Sequence, residues 1–227
     1  MKTKNYLEQA RSWPTAGRHI LAQFDETSIC VYQAYRPSIA EFAVAHQRFG
    51  GEFSYSRMSW IKPNFLWMMY RAGWATKEGQ ERILAIHLPR TFFDELLRSS
   101  VRSSRDPERF DSDESWRLAV AESDVRLQWD PDHDPSGRAL ERRAVQLGLR
   151  GDMLRRYAEQ EVLSITDITD FVAVQRQHVQ SDVSLLEVPS ESVYVPEAGA
   201  ARAVGIDPEP VQKLVATIEN THASRTE

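Results

Sequence analysis

Residues 52–73 read EFSYSRMSWIKPNFLWMMYRAG, and this stretch decides the fold. Its first ten residues, 52–61, alternate between two faces, which predicts a β-strand. Pro63 then opens a helix over residues 64–72, and Gly73 ends it. That helix is apolar on nearly every side, a pattern typical of a helix that is buried all round. We therefore predict that it lies at the centre of the core.

The same reading extends outward along the chain. The segment SICVYQAY, residues 28–35, is rich in β-forming residues and predicts a strand, and Pro37 begins a helix that ends at Gly50-Gly51. Further strands are predicted at 81–88, 125–129, 162–168, 185–188 and 192–195, and further helices at 91–97, 138–147, 152–160 and 169–180. The strands alternate in polarity, so we predict an α+β fold with a mixed or largely antiparallel sheet, a buried central helix and peripheral helices.

Domain organisation follows from length and composition. The 227 residues fit an N-terminal extension (1–16), a single α+β domain (17–195) and a loosely attached tail (196–227) with one helix over residues 208–219. The sequence leaves the oligomeric state open.

The net charge, the cysteine content and the hydrophobicity of the sequence exclude several classes of protein. A net charge of -5 argues against a protein that mainly coats nucleic acid, and the single cysteine, Cys30, excludes an internal disulfide and lies in an apolar run typical of a buried, inert thiol. The N-terminus lacks the apolar core of a signal peptide, and no run approaches the roughly 18 apolar residues that a membrane span needs. We expect a cytoplasmic protein without a membrane partner.

Four segments resemble a known family. VYQAYRPSIAEFA, RMSWIKPNFLWMMYRAGWATKEGQERILAI, QWDPDHDP and RRAVQLGLRG are similar to the family called domain of unknown function 4291, over roughly residues 17–195. The resemblance implies a domain boundary and a set of motifs, but it implies no reaction.

A second, shorter resemblance suggests a reaction. Tyr35-Arg36 at a strand end, followed by Ser54 and Ser56, is similar to the arginine–serine–glutamate pattern of ADP-ribosyltransferases. The resemblance implies NAD as the cofactor, with Arg36 holding the pyrophosphate and the serine hydroxyls supporting the ribose. The spacing from Arg36 to Ser54 is short for that family, and no Glu-x-Glu pair follows on a strand. The alternative is that Arg36 caps a turn and the serines are solvated.

The segment Arg57–Lys62 is the best candidate for binding an anion. It places two cations, the Ser59 hydroxyl and the Trp60 indole beside the N-terminus of the buried helix, where free N–H groups favour negative charge. On a flat strand Arg57 and Lys62 lie on opposite faces, so their convergence requires twist or a bulge near Ser59. The alternative is that Trp60 packs in the core while Lys62 extends to solvent.

Two other segments give weaker candidates. Asp130, Asp132 and Asp134 alternate like the oxygen ligands of a calcium loop, but Pro135 stands where the sharp turn needs glycine, so we favour a turn and expect no metal.

Arginines 138, 142, 143 and 150 surround the predicted helix 138–147. Arg138 and Arg142 are four residues apart and share a helical face, which could contact the phosphates of a nucleic acid. A solvated helix face is the alternative.

Together these patterns predict an enzyme-like domain that binds a nucleotide or another phosphorylated ligand. Its most specific form is an NAD-consuming transferase of the ADP-ribosyltransferase type that uses Arg36, Ser54 and Ser56, with Tyr35 and the Arg57–Lys62 segment lining the site. The alternatives are a non-catalytic module that binds RNA or protein, and a metal-assisted hydrolase that uses Asp130, Asp132 and Asp134.

Overall fold

The structure is a computed structural model that describes residues 1–206. The strands of this part of the chain are β1 (Thr3–Asn5), β2 (Gly17–Arg18), β3 (Ile20–Ala22), β4 (Ser28–Tyr35), β5 (Ser59–Ile61), β6 (Arg82–Pro89), β7 (Val101–Arg102), β8 (Val125–His133), β9 (Ala139–Leu149), β10 (Ser164–Asp167), β11 (Glu187–Pro189) and β12 (Ser192–Tyr194). The helices are α1 (Tyr6–Ala10), α2 (Pro37–His46), α3 (Phe65–Ala72), α4 (Arg90–Arg98), α5 (Asp113–Glu122), α6 (Gly151–Arg156), α7 (Thr169–Ser181) and α8 (Ala198–Val204). A π-helical turn, Tyr157–Glu161, continues α6, and a 3-10 turn spans Val183–Leu185. The predicted α+β class is confirmed.

The larger sheet is built on the antiparallel hairpin of β8 and β9. β5 pairs antiparallel with β9, while the short strands β2 and β7 pair parallel with β9 and β8. Leu127, Val145 and Leu147 are buried on the core face of the hairpin. Because side chains alternate along a strand, Gln128 and its register partner Gln146 lie on the opposite face. That outer face forms one wall of the site described below.

The helix predicted for residues 138–147 is wrong, because this segment forms most of β9. The turn before it decides the outcome. The Asp134 carboxylate accepts hydrogen bonds from the backbone N–H groups of Ser136 and Arg138 at 2.9 and 3.0 Å, and Gly137 takes a φ of +87°. These contacts reverse the chain and lay the segment along β8, where cross-strand pairing overrides the helical spacing of its apolar residues.

The second sheet has the order β10-β6-β4, with both pairings antiparallel. The β4–β6 register runs from Ser28 opposite Pro89 to Tyr35 opposite Arg82, so the strand predicted at 28–35 is confirmed. Helix α2 follows β4 directly, as Pro37 predicted, and packs over β6 and β10. The end of β4 and the start of α2 therefore deliver Tyr35 and Arg36 to one edge of the molecule.

Helix α3 lies against both β4 and β8, and six of its eight residues are buried, so the predicted central helix is confirmed. Its first turn is capped twice, since Trp67 N donates to the Asn64 side chain at 2.7 Å and Phe65 N donates to the Glu191 carboxylate at 2.7 Å. Gly73 ends the helix in the left-handed conformation.

The strand predicted for residues 52–61 is shorter than expected. Only Ser59–Ile61 pair with another strand, and residues 52–58 form turns. The cause is aromatic packing, because Phe53 lies against Phe49 and Tyr35, with ring centroids 4.8 and 5.9 Å away, instead of standing on a sheet.

Both ends of the described chain dock onto the domain. β1 pairs with β11, and the Trp13 indole N–H donates to the Glu191 carbonyl at 3.0 Å, so residues 1–16 pack against the segment near residue 190. The loosely attached tail predicted from residue 196 is wrong for its first part, because α8 packs on α4 and buries Ala200, Ala201 and Val204. The helix predicted over residues 208–219 lies outside the described residues.

The highly charged segment 101–115 contains β7 and the start of α5. Within residues 1–206, no helix has the length and apolarity needed to cross a membrane. Cys30 is a buried free thiol, as predicted, and burial raises its pKa to about 12.

Candidate functional site

A cavity of about 690 Å³ opens between the end of β4, the turns at 52–58, β5, α3 and the outer face of the β8–β9 hairpin. The predicted residues that line it are Tyr35, Arg36, Ser54, Arg57, Ser59, Trp60 and Lys62. The turns at 52–58 replace a flat strand, and this is how Arg57 reaches the same cavity as Lys62 although the two were predicted to lie on opposite faces. Ser56 is not part of the lining; its hydroxyl contacts that of Ser54 at 3.1 Å.

Lys62 is the most unusual residue of the cavity. Its backbone N–H and carbonyl pair with those of Tyr32 at 3.2 and 2.7 Å, which fixes the position of the residue just before Pro63. Only 4% of the residue is exposed, and its amine makes no hydrogen bond or ion pair with any residue in 1–206. A largely buried ammonium to which the described residues offer no hydrogen bond is costly, because burial removes much of its hydration.

The surroundings of Lys62 lower its pKa to about 8. Burial is the largest cause, the charge of Arg71 lowers the pKa further, and the carboxylate of Asp130 opposes the shift. Lys62 can therefore exchange a proton near neutral pH, and an anion in the cavity would supply its missing partner.

Arginines complete the electrostatics of the cavity. Arg57 and Arg71 are exposed at its rim, and neither forms an ion pair within the described residues. Arg36 pairs with Glu52, the one carboxylate of the lining, at 2.8 Å, and Ser38 also donates to Glu52 at 2.7 Å. Four cations against one carboxylate make the cavity a site for anions.

An apolar wall faces these charges. Trp60, Met58, Met68, Phe53 and Ile39 contribute to it. Trp60 and Met58 lie over β9 at Gly148, where an added Cβ would come within 2.9 Å of the indole and 2.6 Å of the Met58 sulfur. Glycine at this position therefore seats the indole against the sheet. A half-buried indole beside cations suits a planar ring that carries a phosphate.

A hydrogen-bonded network lies under the cavity. The Gln33 side chain accepts from the Tyr157 hydroxyl at 2.6 Å and donates to Ser59 Oγ at 2.8 Å, while the Tyr35 hydroxyl and Ser59 Oγ are 2.7 Å apart. Burial raises the pKa values of both tyrosines, so these hydroxyls stay protonated. The network holds Ser59 and Tyr35 in fixed orientations at the lining.

The four arginines predicted to form a nucleic-acid face do not lie together. Arg142 is buried and binds Asp132 with two nitrogens, at 2.6 and 2.8 Å. Arg138 pairs with Asp134 at 3.1 Å, and Arg150 donates to the backbone carbonyls of Ser123 and Ala121. Arg143 lines a second cavity, which is treated below, and Arg142 lines a smaller third one.

The three aspartates considered for metal binding have separate partners. Asp132 binds Arg142, Asp134 closes the hairpin turn, and Asp130 accepts from the Gln146 side chain at 2.7 Å. Residues 1–206 hold no group of three or more His, Cys, Asp or Glu side chains arranged to bind a metal ion.

Sequence reasoning missed several lining residues, namely Gln33, Arg71, Gln80, Gln128 and Gln146. Arg71 carried a usable signal, because it interrupts an otherwise apolar helix. Gln128 and Gln146 carried none while residues 138–147 were predicted as a helix, since only the hairpin register places them side by side.

Comparison with known proteins gives a family and no reaction. Residues 19–194 match the sequence model of a family described as "Domain of unknown function (DUF4291)". That span includes every residue of the cavity lining. No curated protein matches the chain.

Proposed function

The chain belongs to the family of the domain of unknown function DUF4291, which names no ligand, and from the chemistry of the cavity we propose that it binds a nucleotide or another phosphorylated small molecule. The observation that carries the proposal is Lys62, a largely buried lysine that lines a cavity of about 690 Å³ and whose amine has no hydrogen-bond or ion-pair partner within residues 1–206. Such a group is stabilised by a ligand of opposite charge.

The distribution of charge and apolar surface supports a nucleotide over a bare phosphate. Arg57 and Arg71 flank the mouth, where they suit phosphate oxygens, and Trp60 offers a flat surface for a base. A volume of a few hundred cubic ångströms is in the range of small-molecule and cofactor sites.

The catalytic form of the proposal is an NAD-consuming transferase of the ADP-ribosyltransferase type. In this form Arg36 and Arg57 hold the pyrophosphate, and Ser54 and Ser59 face the ribose. Glu52 supports it as the carboxylate of the lining, because a carboxylate stabilises the oxocarbenium that develops when the glycosidic bond breaks. Release of nicotinamide from NAD, followed by chromatography, tests this form separately from binding.

Calorimetry with ATP, NAD and inorganic phosphate tests the binding itself. We expect Lys62→Met and Arg57→Gln each to weaken nucleotide binding at pH 7 by roughly tenfold or more, the scale of a charge-assisted hydrogen bond. Arg176→Gln is the matched control, because Arg176 lies on α7 and lines neither this cavity nor its neighbour. Unchanged affinity in both cavity variants, or no binding of any of the three ligands, would refute the proposal.

A further inference from the structure

A second cavity adjoins the first across the outer face of the hairpin. It has a volume of about 440 Å³, and Gln128 lines both cavities. Its other lining residues include Arg18, Arg102, Arg143, Trp129 and Asp130. The two cavities therefore adjoin each other at Gln128.

The second cavity brings arginine side chains together with few carboxylates beside them. Arg18 and Arg143 are register partners on the adjacent strands β2 and β9. Side chains paired in this way lie close together, and two like charges in such a pair repel each other. Neither guanidinium makes a hydrogen bond or ion pair with any residue between 1 and 206, and both residues are exposed.

The third arginine adds to this repulsion. Arg102 pairs with Asp106 at 2.8 Å and donates to the Val204 carbonyl at 3.0 Å. Burial lowers the pKa of Arg102, and the neighbouring positive charge of Arg18 lowers it further. Asp130, the one carboxylate that the described residues give this lining, already accepts a hydrogen bond from Gln146. An anion between Arg18 and Arg143 would relieve the repulsion.

The boundary between the cavities is polar. The Gln146 amide donates to the Gln128 side-chain oxygen at 3.1 Å and to Asp130 at 2.7 Å, which fixes the Gln128 side chain. The amide nitrogen of Gln128 has no acceptor in the described part of the chain, so it can donate to a ligand that passes from one cavity to the other.

Charge is distributed unevenly over the protein as a whole. Among residues 1–206, seven cations and two carboxylates line the two cavities, whereas the complete chain has a net charge of -5. Two neighbouring cationic cavities with a half-buried indole in the first, on an otherwise acidic protein, favour a ligand with several phosphates and at least one base.

We propose that the two cavities form one track for a single-stranded oligonucleotide. One phosphate lies at Lys62 and Arg57 with its base against Trp60, and a following phosphate lies between Arg18 and Arg143. This inference rests on the proposed function, since it requires that the first cavity binds a nucleotide, and it extends the ligand class from a mononucleotide to an oligonucleotide.

The test is a length series measured on the full chain. Affinities for 5′-phosphorylated mono-, di- and tetranucleotides, in RNA and DNA arms, are determined by calorimetry at fixed low salt. We expect the tetranucleotide to bind at least tenfold more tightly than the mononucleotide. Arg18→Gln and Arg143→Gln should each remove most of this gain and leave the mononucleotide affinity unchanged, while Arg176→Gln changes neither. Each lost phosphate contact should also reduce the slope of log K against log salt by roughly 0.7.

Three results would overturn the track. They are an affinity that does not rise with length, a gain that survives both arginine variants, and equal binding of an oligoglutamate peptide of the same charge, which would indicate an acidic protein partner. Failure of the track leaves the proposed function intact if the mononucleotide still binds in a Lys62-dependent manner. If neither the mononucleotide nor the tetranucleotide binds, both the track and the proposed function fail. If the tetranucleotide binds Lys62→Met as tightly as the wild type, the two cavities do not share one track.

Discussion

At the scale of single residues, Lys62 is expected to lower the stability of the fold and at the same time to supply a positive charge for binding an anion. Its pKa falls from 10.5 to about 8 on folding, mainly because the amine is buried. Below pH 8 the folded protein thus holds an ammonium in a place that disfavours it. Natural proteins retain such groups where function requires them, since stability and function are selected together.

Lys62→Met is therefore expected to stabilise the protein at pH 7 while weakening ligand binding. The shift in pKa corresponds to roughly 3 kcal/mol at pH 7, and methionine fills a similar volume without a charge. Urea denaturation of both proteins at pH 7 measures the difference. A loss of stability in Lys62→Met would show instead that the amine has a favourable partner in the folded state.

The same pKa gives the pH dependence of that difference. Between about pH 8 and 10.5 the unfolded chain holds a proton at Lys62 that the folded chain has released, so the stability of the wild type rises with pH in this window and the gain from Lys62→Met shrinks. Anion affinity has the opposite trend, because the binding form of Lys62 is protonated. It should be level near pH 7 and fall as the pH rises through 8, in a range where a phosphate monoester has already lost its second proton.

Calorimetry between pH 7 and 9.5, repeated in buffers of different ionisation enthalpy, measures this effect. Near pH 8 the wild type should take up a fraction of a proton on binding, because the anion raises the pKa of Lys62. Lys62→Met serves as the control and should show a flat profile. A wild-type profile that is equally flat would exclude Lys62 as the anion's partner.

At the scale of elements, helix α3 carries core residues and cavity residues within two positions of each other. Met69 is fully buried against the core, whereas Arg71, two residues later, is exposed at the rim of the cavity. Met69→Ala should destabilise the protein by about 2–5 kcal/mol through the cavity that it leaves.

Arg71→Ala is the matched control for that helix. It removes an exposed side chain, so its effect on stability should stay within about 0.5 kcal/mol, while its effect on nucleotide affinity should be measurable. Denaturant unfolding and calorimetry on both variants check the pair. If the two changes destabilised the protein equally, Arg71 would not be an exposed residue, and the face of α3 assigned to the cavity would be wrong.

The elements also explain which parts of the structure the sequence could predict. α3 and β4 are marked by prolines, glycines and unbroken apolar runs, which are local signals that tertiary contacts leave in place. β9 has no such signal. Its arginines and apolar residues fit a helix as well as a strand, and only the hairpin turn held by Asp134 and Gly137 selects the strand.

This error had a direct consequence for the site. The cluster of Tyr35, Arg57 and Lys62 could be proposed from sequence because strand ends and helix starts near one another in the chain tend to share an edge. The floor made by Gln128 and Gln146, and the pairing of Arg18 with Arg143, depend on the register of β9 and could not be proposed without it.

At the scale of the molecule, both ends of the described part, residues 1–206, pack onto the domain. The N-terminal segment contacts Glu191, and Glu191 in turn caps α3, so the first 16 residues support the helix that lines the cavity. At the other end, the Val204 carbonyl accepts hydrogen bonds from Arg102 and from the Trp129 indole, both of which line the second cavity.

Truncation tests the contribution of the C-terminal end. A chain ending at residue 206 keeps α8, and a chain ending at residue 196 loses it. We expect the shorter chain to be less stable by several kcal/mol, because it exposes the surface of α4 that Ala200, Ala201 and Val204 cover and removes the acceptor of Arg102 and Trp129.

Thermal and urea unfolding of the two truncated chains, side by side, measure the contribution of α8. Both truncated chains lack the residues beyond 206, so the difference in their stability is due to residues 197–206 alone. A substitution gives an independent check, because Val204→Ala in the full chain should lower stability by roughly 1–2 kcal/mol through lost apolar burial, whereas exposed Arg202→Ala should not. Equal melting temperatures for the two truncated chains, together with a neutral Val204→Ala, would mean that α8 is not docked on α4.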